Sequence, residues 1–513
     1  VAPPDSPVDR SQAAPKIAGR SPRLNILQIA SEVSPWAKTG GLADVTGSLP
    51  QVLDRLGHEV TVAMPRYRGM ATSGGAALQR DIRLGGHVHH VTFHVSTLSP
   101  RRRLVMVDVP AFFDRDGIYG AGGRDFDDNA ERFALLSLAA LEFAEADAAT
   151  RPVDVIHAHD WQGALAPVLL SIDPGRFPRL RAAGTVLTVH NLAYQGLFPR
   201  DVVPALGLPW SVFTVETGEF YGQFSFLKAG LVRSDYLTTV SPTYARETQA
   251  RRFGAGLEGV LFARRDRYVG ILNGIDTDVW NPASDPYIPA RYDAADLSGK
   301  VTAKRALLSR FGLSVGDDAL ERPLVGMVSR LVEQKGLELL MGAAGELGEL
   351  DATWVFLGTG EARFERFLTD LAARHPSRVG AHIGFDEMLA HLVEAGSDIF
   401  LMPSLFEPCG LNQMYSLRYG TVPVVHAVGG LDDTVQPHTA RASGATGFKF
   451  REPSSEAMLR TLRQAIRLYH DKAVWVPLMQ RGMAADHSWE TSAREYVKVY
   501  RRARQAAAMR AAG

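Results

Sequence analysis

Lys38-Thr39-Gly40-Gly41 lies between the apolar run Asn25–Ala30 and Leu42–Leu56, where apolar residues recur at helical spacing. A strand end that leads into a helix start offers unpaired backbone N–H groups and a positive dipole end. Glycines let the backbone approach a ligand closely and take positive φ, and Lys38 adds a full charge. The combination suits a phosphate or a polyhydroxyl ligand. An ordinary strand-to-helix turn has the same spacing, which leaves both readings open. The pattern is neither GxxxxGK[ST] nor GxGxxG.

Three more stretches carry comparable groups. Val328-Ser329-Arg330-Leu331 ends an apolar run, and Lys335 follows in the next loop. A planar guanidinium and a compact ammonium at a strand's carboxyl end suit a diphosphate; ordinary surface charge is the competing reading. Pro403–Asn412 places Glu407 in a turn constrained by Pro408 and Gly410, just before a helix. A carboxylate held there can accept bonds from sugar hydroxyls or stabilise developing positive charge, or simply cap the helix. Gly429-Gly430-Leu431-Asp432-Asp433-Thr434 repeats the turn, with backbone N–H groups expected to reach further phosphate oxygens. His157-Ala158-His159-Asp160-Trp161 and His190–Gly196 each follow a strand pattern. No further carboxylate or His stands at ordinary metal-ligand spacing, so no metal is expected, and the polar set suits hydroxyl recognition.

The elements that must position these groups alternate. Asn25–Ala30, Glu59–Met64, Leu104–Val109, Val153–His157 and Thr185–Val189 read as strands; Gly41–Leu56, Asn129–Ala146 and Trp161–Ser171 read as helices. His87–Leu98 and Leu104–Val109 also fit a hairpin. A second series has strands at Leu324–Ser329, Thr353–Leu357, Val379–Ile383, Ile399–Met402 and Val422–His426, with helices over 336–349, 361–374, 386–395 and 411–420. The pattern is α/β: two doubly wound, Rossmann-like domains with the site in the cleft between them. The boundaries are a disordered segment 1–22, a first domain 23–272, a hinge 273–292, a second domain 293–488 and a terminal helix 489–513. The tail reads as a packed helix with a solvated basic face, with a polyanion-binding tail as the alternative.

The bulk numbers exclude several classes. The 513 residues carry 56 basic and 56 acidic side chains, so no net field draws nucleic acid or membrane. No apolar run reaches the roughly 18 residues that span a bilayer. One cysteine, Cys409, excludes an internal disulfide and fits a cytoplasmic protein. The N-terminal stretch has no apolar segment of a secretory signal.

Eight motifs in order resemble the bacterial glycogen synthases and plant starch synthases: KTGGLADV (Lys38–Val45), GIYG (Gly117–Gly120), HAHDW (His157–Trp161), TVHNLAYQG (Thr188–Gly196), NGIDTDVWNP (Asn273–Pro282), SRLVEQKG (Ser329–Gly336), PSLFEPCGLNQM (Pro403–Met414) and GGLDDTV (Gly429–Val435). The resemblance implies the GT-B fold, with the last helix crossing back to the first domain. It implies transfer of glucose from ADP-glucose to the non-reducing end of an α-1,4-glucan (glycogen or a maltodextrin primer), with retention and without metal or cofactor. By the same resemblance Lys38, Gly40 and Gly41 face the diphosphate and glucose. Arg330 and Lys335 neutralise the leaving ADP, Glu407 contacts the transferring glucose, and His190 holds its hydroxyls. Asp44, Tyr119, Asp160, Asn191 and Asn273 line the glucose and acceptor side. Phe385, Cys409, Gly410, Leu411, Gly430 and Thr434 face the donor.

Three positions depart from relatives. Phe385 stands where some members carry Tyr, which keeps a ring for stacking on adenine and loses a hydroxyl. Ala303 replaces an Asn before Lys304. Tyr415 stands eight residues after Glu407, where related retaining transferases carry a second Glu. With a single carboxylate in the cluster, front-face attack is expected rather than a covalent intermediate, which needs two carboxylates about 5 Å apart.

Overall fold

A computed structural model describes residues 23–72, 75–439 and 443–512. The disordered segment expected at 1–22 lies outside the described residues. The first sheet has nine strands: β1 Asn25–Ile29, β2 Glu59–Pro65, β3 Ala76–Leu84, β4 His87–Ser99, β5 Arg102–Asp108, β6 Val155–His159, β7 Gly184–Val189, β8 Tyr236–Thr239 and β9 Tyr268–Gly270. Their order is β9-β8-β7-β6-β1-β2-β5-β4-β3. β9 through β5 run parallel, and β4 and β3 add an antiparallel edge. The hairpin reading of His87–Val109 therefore holds. β3 escaped the sequence reading because nearly all of it is exposed, so it has no apolar run. β6 and β7 are buried along their whole length, as strands covered on both faces must be.

The second sheet has six parallel strands: β10 Leu324–Val328, β11 Thr353–Gly358, β12 Val379–Ile383, β13 Ile399–Met402, β14 Val422–His426 and β15 Phe448–Phe450, in the order β12-β11-β10-β13-β14-β15. Two expected helices are each broken once. Trp161–Ser171 becomes Asp160–Gly163 and Leu165–Ile172, and 336–349 becomes Leu337–Gly342 and Ala344–Leu347. Pro167 sits in the first turn of Leu165–Ile172, where no N–H is needed. Among the described residues no helix is long and apolar enough to cross a membrane.

The helix Trp489–Ala512 packs into the core of the first sheet through Trp489, Ala493, Tyr496, Tyr500 and Ala503. At Gly184 a Cβ would lie 2.3 Å from the Ala503 carbonyl carbon, so a glycine is what lets helix and strand touch. The tail's cations are largely spent on protein carboxylates: Arg494 on Glu490, Lys498 on Glu495, Arg504 on Asp154 and Arg510 on Asp235.

Between the two sheets runs 273–292. Its later part is fastened to the second sheet's layer. The Trp280 ring stacks between His391 and Tyr415, each at 3.8 Å between centroids. The buried Asp285 accepts from the Tyr419 hydroxyl at 2.5 Å and sits 2.8 Å from His391 Nδ1. Near its start, Ile275 donates to the His487 carbonyl at 2.8 Å, so the two chain crossings pair with each other.

Candidate active site

The loop after β1 is organised by a carboxylate that the sequence reading missed. Glu32 is buried and accepts from the Thr39 backbone N–H at 2.5 Å, the Thr39 hydroxyl at 2.7 Å and the Gly40 N–H at 3.3 Å. The Tyr119 hydroxyl donates at 2.5 Å to Glu32 Oε1, the oxygen that also accepts from the Thr39 hydroxyl. Lys38 Nζ donates to Asp44 Oδ1 at 2.7 Å at the helix start, where Lys38 is exposed and Asp44 partly buried. Burial pushes the Asp44 carboxyl up, and Lys38 opposes that shift. Gly40 and Gly41 are exposed, and a Cβ on either would meet nothing within 4 Å. Neither takes positive φ, which corrects that part of the expectation: these glycines leave open space rather than permit a turn.

The carboxyl ends of β6 and β7 carry the second group. Asp160 adopts φ +50 and accepts from the His190 N–H at 2.7 Å, with the Asn191 N–H as a second donor. Desolvation pushes its carboxyl up to about 7 against those two bonds. His190 is buried, and its Nε2 lies 3.0 Å from His159 Nδ1. Burial pushes His190 down to about 3, so the imidazole is neutral. Asn191 Oδ1 accepts from the Ala193 N–H at 3.1 Å, which shapes the loop. Asn273 is buried with its Oδ1 unpartnered among the described residues. An orphaned carbonyl oxygen of this kind is a ready acceptor for a ligand hydroxyl.

In the second sheet's layer Lys335 Nζ donates to Glu407 Oε2 at 2.6 Å, and the Ser404 hydroxyl donates to the same oxygen at 3.0 Å. Ser404 escaped the sequence reading; its position, three residues before Glu407 at a strand end, was the available signal. Arg330 is exposed two residues beyond β10, and its guanidinium makes no hydrogen bond or ion pair among the described residues. Phe385 is 86% exposed, which leaves its ring open for stacking. Gly410 takes φ +70 and, like Leu411, is partly buried.

Three expected donor contacts are otherwise engaged. The Cys409 thiol is buried against the first sheet's core, accepts from the Asn273 N–H and is pushed up to about 12 by burial. Its side chain therefore meets the chain crossing rather than an open cleft. Gly430 N–H donates to the carbonyls of Glu407 at 3.1 Å and Pro408 at 3.2 Å. Thr434 is buried and its hydroxyl donates to the Gly430 carbonyl at 2.6 Å. The Gly429 N–H goes to both carboxylate oxygens of Glu247, each at 3.1 Å. The first N–H groups of that turn, expected to reach phosphate oxygens, thus have protein partners in this structure. Beside it, Asp433 accepts from the Thr243 N–H at 2.8 Å and hydroxyl at 2.7 Å, a second bond between the two halves.

The departures also have structural reasons. Ala303 is fully buried, with Lys300 and Lys304 on either side donating to carbonyls of the second domain. Tyr415 spends its ring on Trp280.

Residues 25–263 match the starch synthase catalytic domain family, and residues 316–476 match the glycosyl transferases group 1 family. Glycogen synthases of Anaeromyxobacter dehalogenans (strain 2CP-1 / ATCC BAA-258) and Myxococcus xanthus (strain DK1622) are 50% and 47% identical to this chain; each alignment covers 93% of it and 99% of the relative. The catalytic domain of starch synthase IV from Arabidopsis thaliana, solved with ADP and acarbose, superposes at TM-score 0.85 with 33% identity over 94% of this chain and 100% of that one. Sucrose-phosphate synthase from Thermosynechococcus elongatus shares the fold at TM-score 0.56 and 18% identity, over 93% of this chain and 98% of that one. With two parallel-sheet domains, the motif loops at their carboxyl ends and these relatives along nearly its whole length, the chain belongs to the glycogen and starch synthase family of retaining GT-B glycosyltransferases.

Proposed function

We propose that the cleft moves glucose from ADP-glucose to the non-reducing end of an α-1,4-glucan and so elongates glycogen. The observation that carries this proposal is the cluster of partly buried Lys335 with buried Glu407 and Ser404 at the carboxyl end of the second sheet. The bond from the glucose anomeric carbon to the diphosphate oxygen breaks, and its electron pair leaves with ADP. Lys335 and Arg330 stabilise that negative charge. Both bonds to Glu407 fall on Oε2, and its carboxylate faces the sugar, whose ring gains positive charge only in the transition state. A preorganised group of this kind contributes about 3 kcal/mol. The acceptor hydroxyl attacks from the face the diphosphate leaves, forms the new glycosidic bond and passes its proton to the departing phosphate oxygen.

Retention by this route asks for no second carboxylate beside Glu407, and Tyr415 is consistent with that. Lys38, Gly40, Gly41 and Phe385 complete the donor side; Asp44, Tyr119, Asp160, Asn191 and Asn273 line the sugar and acceptor side. The charge on ADP is met by Arg330, Lys335 and backbone donors, so the reaction is metal-independent. The bacterial relatives and the single free cysteine support a cytoplasmic reaction.

The test is a release assay with ADP-glucose or UDP-glucose, with and without glycogen, in chelator. ADP release that depends on glycogen, with a new α-linkage by proton NMR, is the expected result. A β-linkage, a preference for UDP-glucose, or activity that chelator abolishes and magnesium restores would reject the corresponding part of the reading.

A further inference from the structure

His159 and His190 stand at the ends of adjacent parallel strands, where His159 lies opposite Thr188. The 3.0 Å separation of His159 Nδ1 and His190 Nε2 means that one of the two carries the shared proton. The remaining nitrogen of His159, Nε2, is buried and has no hydrogen-bond partner. A buried N–H without an acceptor is rarer and costlier than a bare lone pair. The proton of neutral His159 therefore sits on Nδ1, and His159 donates. His190 Nε2 accepts, and neutral His190 must then carry its own proton on Nδ1, since a neutral imidazole has one donor and one acceptor.

The geometry points to His159 as a positioning residue that fixes His190 as its Nδ1–H tautomer, a hydrogen-bond donor toward a hydroxyl of the transferring glucose. The functional half of this inference rests on the proposed contact between His190 and the sugar. His159 is itself clamped. The ring of His157 lies against it at 4.1 Å between centroids. His157 Nε2 is 2.6 Å from the Thr188 hydroxyl, and His157 Nδ1 is 2.8 Å from the Tyr500 hydroxyl on the terminal helix. The crossing helix thus reaches the sugar-binding histidine through two buried rings. Burial lowers all three histidines, which keeps the donor–acceptor order uncharged and directional.

The experiment labels histidine with 15N in the full chain and reads ring tautomers by NMR, with the His190 signals assigned by their loss in His190→Gln. The wild type should show His190 protonated at Nδ1. His159→Asn keeps a donor near the Nδ1 position and should preserve that form. His159→Leu removes it and should move His190 toward Nε2–H. With ADP-glucose and glycogen, His159→Leu should lower kcat about tenfold, the weight of one lost hydrogen bond, with a smaller change in KM, and His159→Asn should recover most of it. An Nε2–H tautomer in the wild type overturns the inference, whether or not the leucine variant folds. A tautomer that moves as expected while kcat stays unchanged overturns instead the contact between His190 and the sugar.

Discussion

Lys335 Nζ stands 2.6 Å from Glu407 Oε2, and the two side chains are only 17% and 8% exposed. A pair so enclosed responds sharply when one member is removed, because the survivor is left as an uncompensated buried charge.

Lys335→Met and Glu407→Gln should each lower kcat by roughly 10²–10³-fold. The double variant should fall well short of the product of the two losses, since contacting residues couple by about 0.5–3 kcal/mol. Glu407→Ala should leave ADP affinity unchanged or tighter, because it frees Lys335 for the diphosphate. Initial rates and calorimetric ADP titration separate these effects. Parallel losses of turnover and ADP affinity would make Glu407 a binding or folding residue.

Glu32→Gln should loosen the loop at Thr39 and Gly40. The carboxylate has only acceptors to offer its four donors, and an amide turns one end into a donor facing them. The expected outcome is a rise of about tenfold or more in KM for ADP-glucose, from the 1–3 kcal/mol that a mispaired buried group costs. An unchanged KM would show that the loop holds its shape without Glu32.

Asp160 predicts a pH dependence of stability. Its folded value of about 7 lies above the unfolded value near 3.9, so the folded chain binds up to one extra proton between those limits. Its contribution to stability is therefore present below about pH 4 and is lost as pH rises through about 7. Asp160→Asn keeps an acceptor for the His190 N–H and removes the titration. Denaturant melts from pH 4 to 8 should show the variant losing less stability over that range than the parent. Parallel curves would place the Asp160 carboxyl in its ordinary range.

The two halves should close further over the donor, with the bend confined to the paired crossings near Ile275 and His487. Trp280 and Asp285 are too firmly packed on the second domain to flex with it. Small-angle scattering should show a smaller radius of gyration with ADP and a short maltodextrin than without. Glu247→Ala and Asp433→Ala, which release bonds between the halves, should enlarge it in the free protein. An unchanged radius under proven binding would indicate a cleft that is already formed.

Much of the architecture is written locally. Buried parallel strands need continuous apolar runs, and Asn25–Ile29, Leu324–Val328 and Ile399–Met402 announce themselves that way. Lys38, Arg330, Lys335 and Glu407 stand out in the sequence as candidates because glycines, prolines and charge cluster where a strand gives way to a helix. The edge strand Ala76–Leu84 was not legible, since a mostly exposed strand has little burial to encode. Which partner each polar group meets was decided only by the tertiary structure. Glu32 gains Tyr119 from 87 residues away, and Gly429 gives its N–H to Glu247 across 182 residues. His157 finds Tyr500 across 343 residues. Periodic burial repeats within a few residues and can be read from the chain. A hydrogen bond depends on which strand ends and helices come to lie side by side, and that is settled by the packing of the whole molecule.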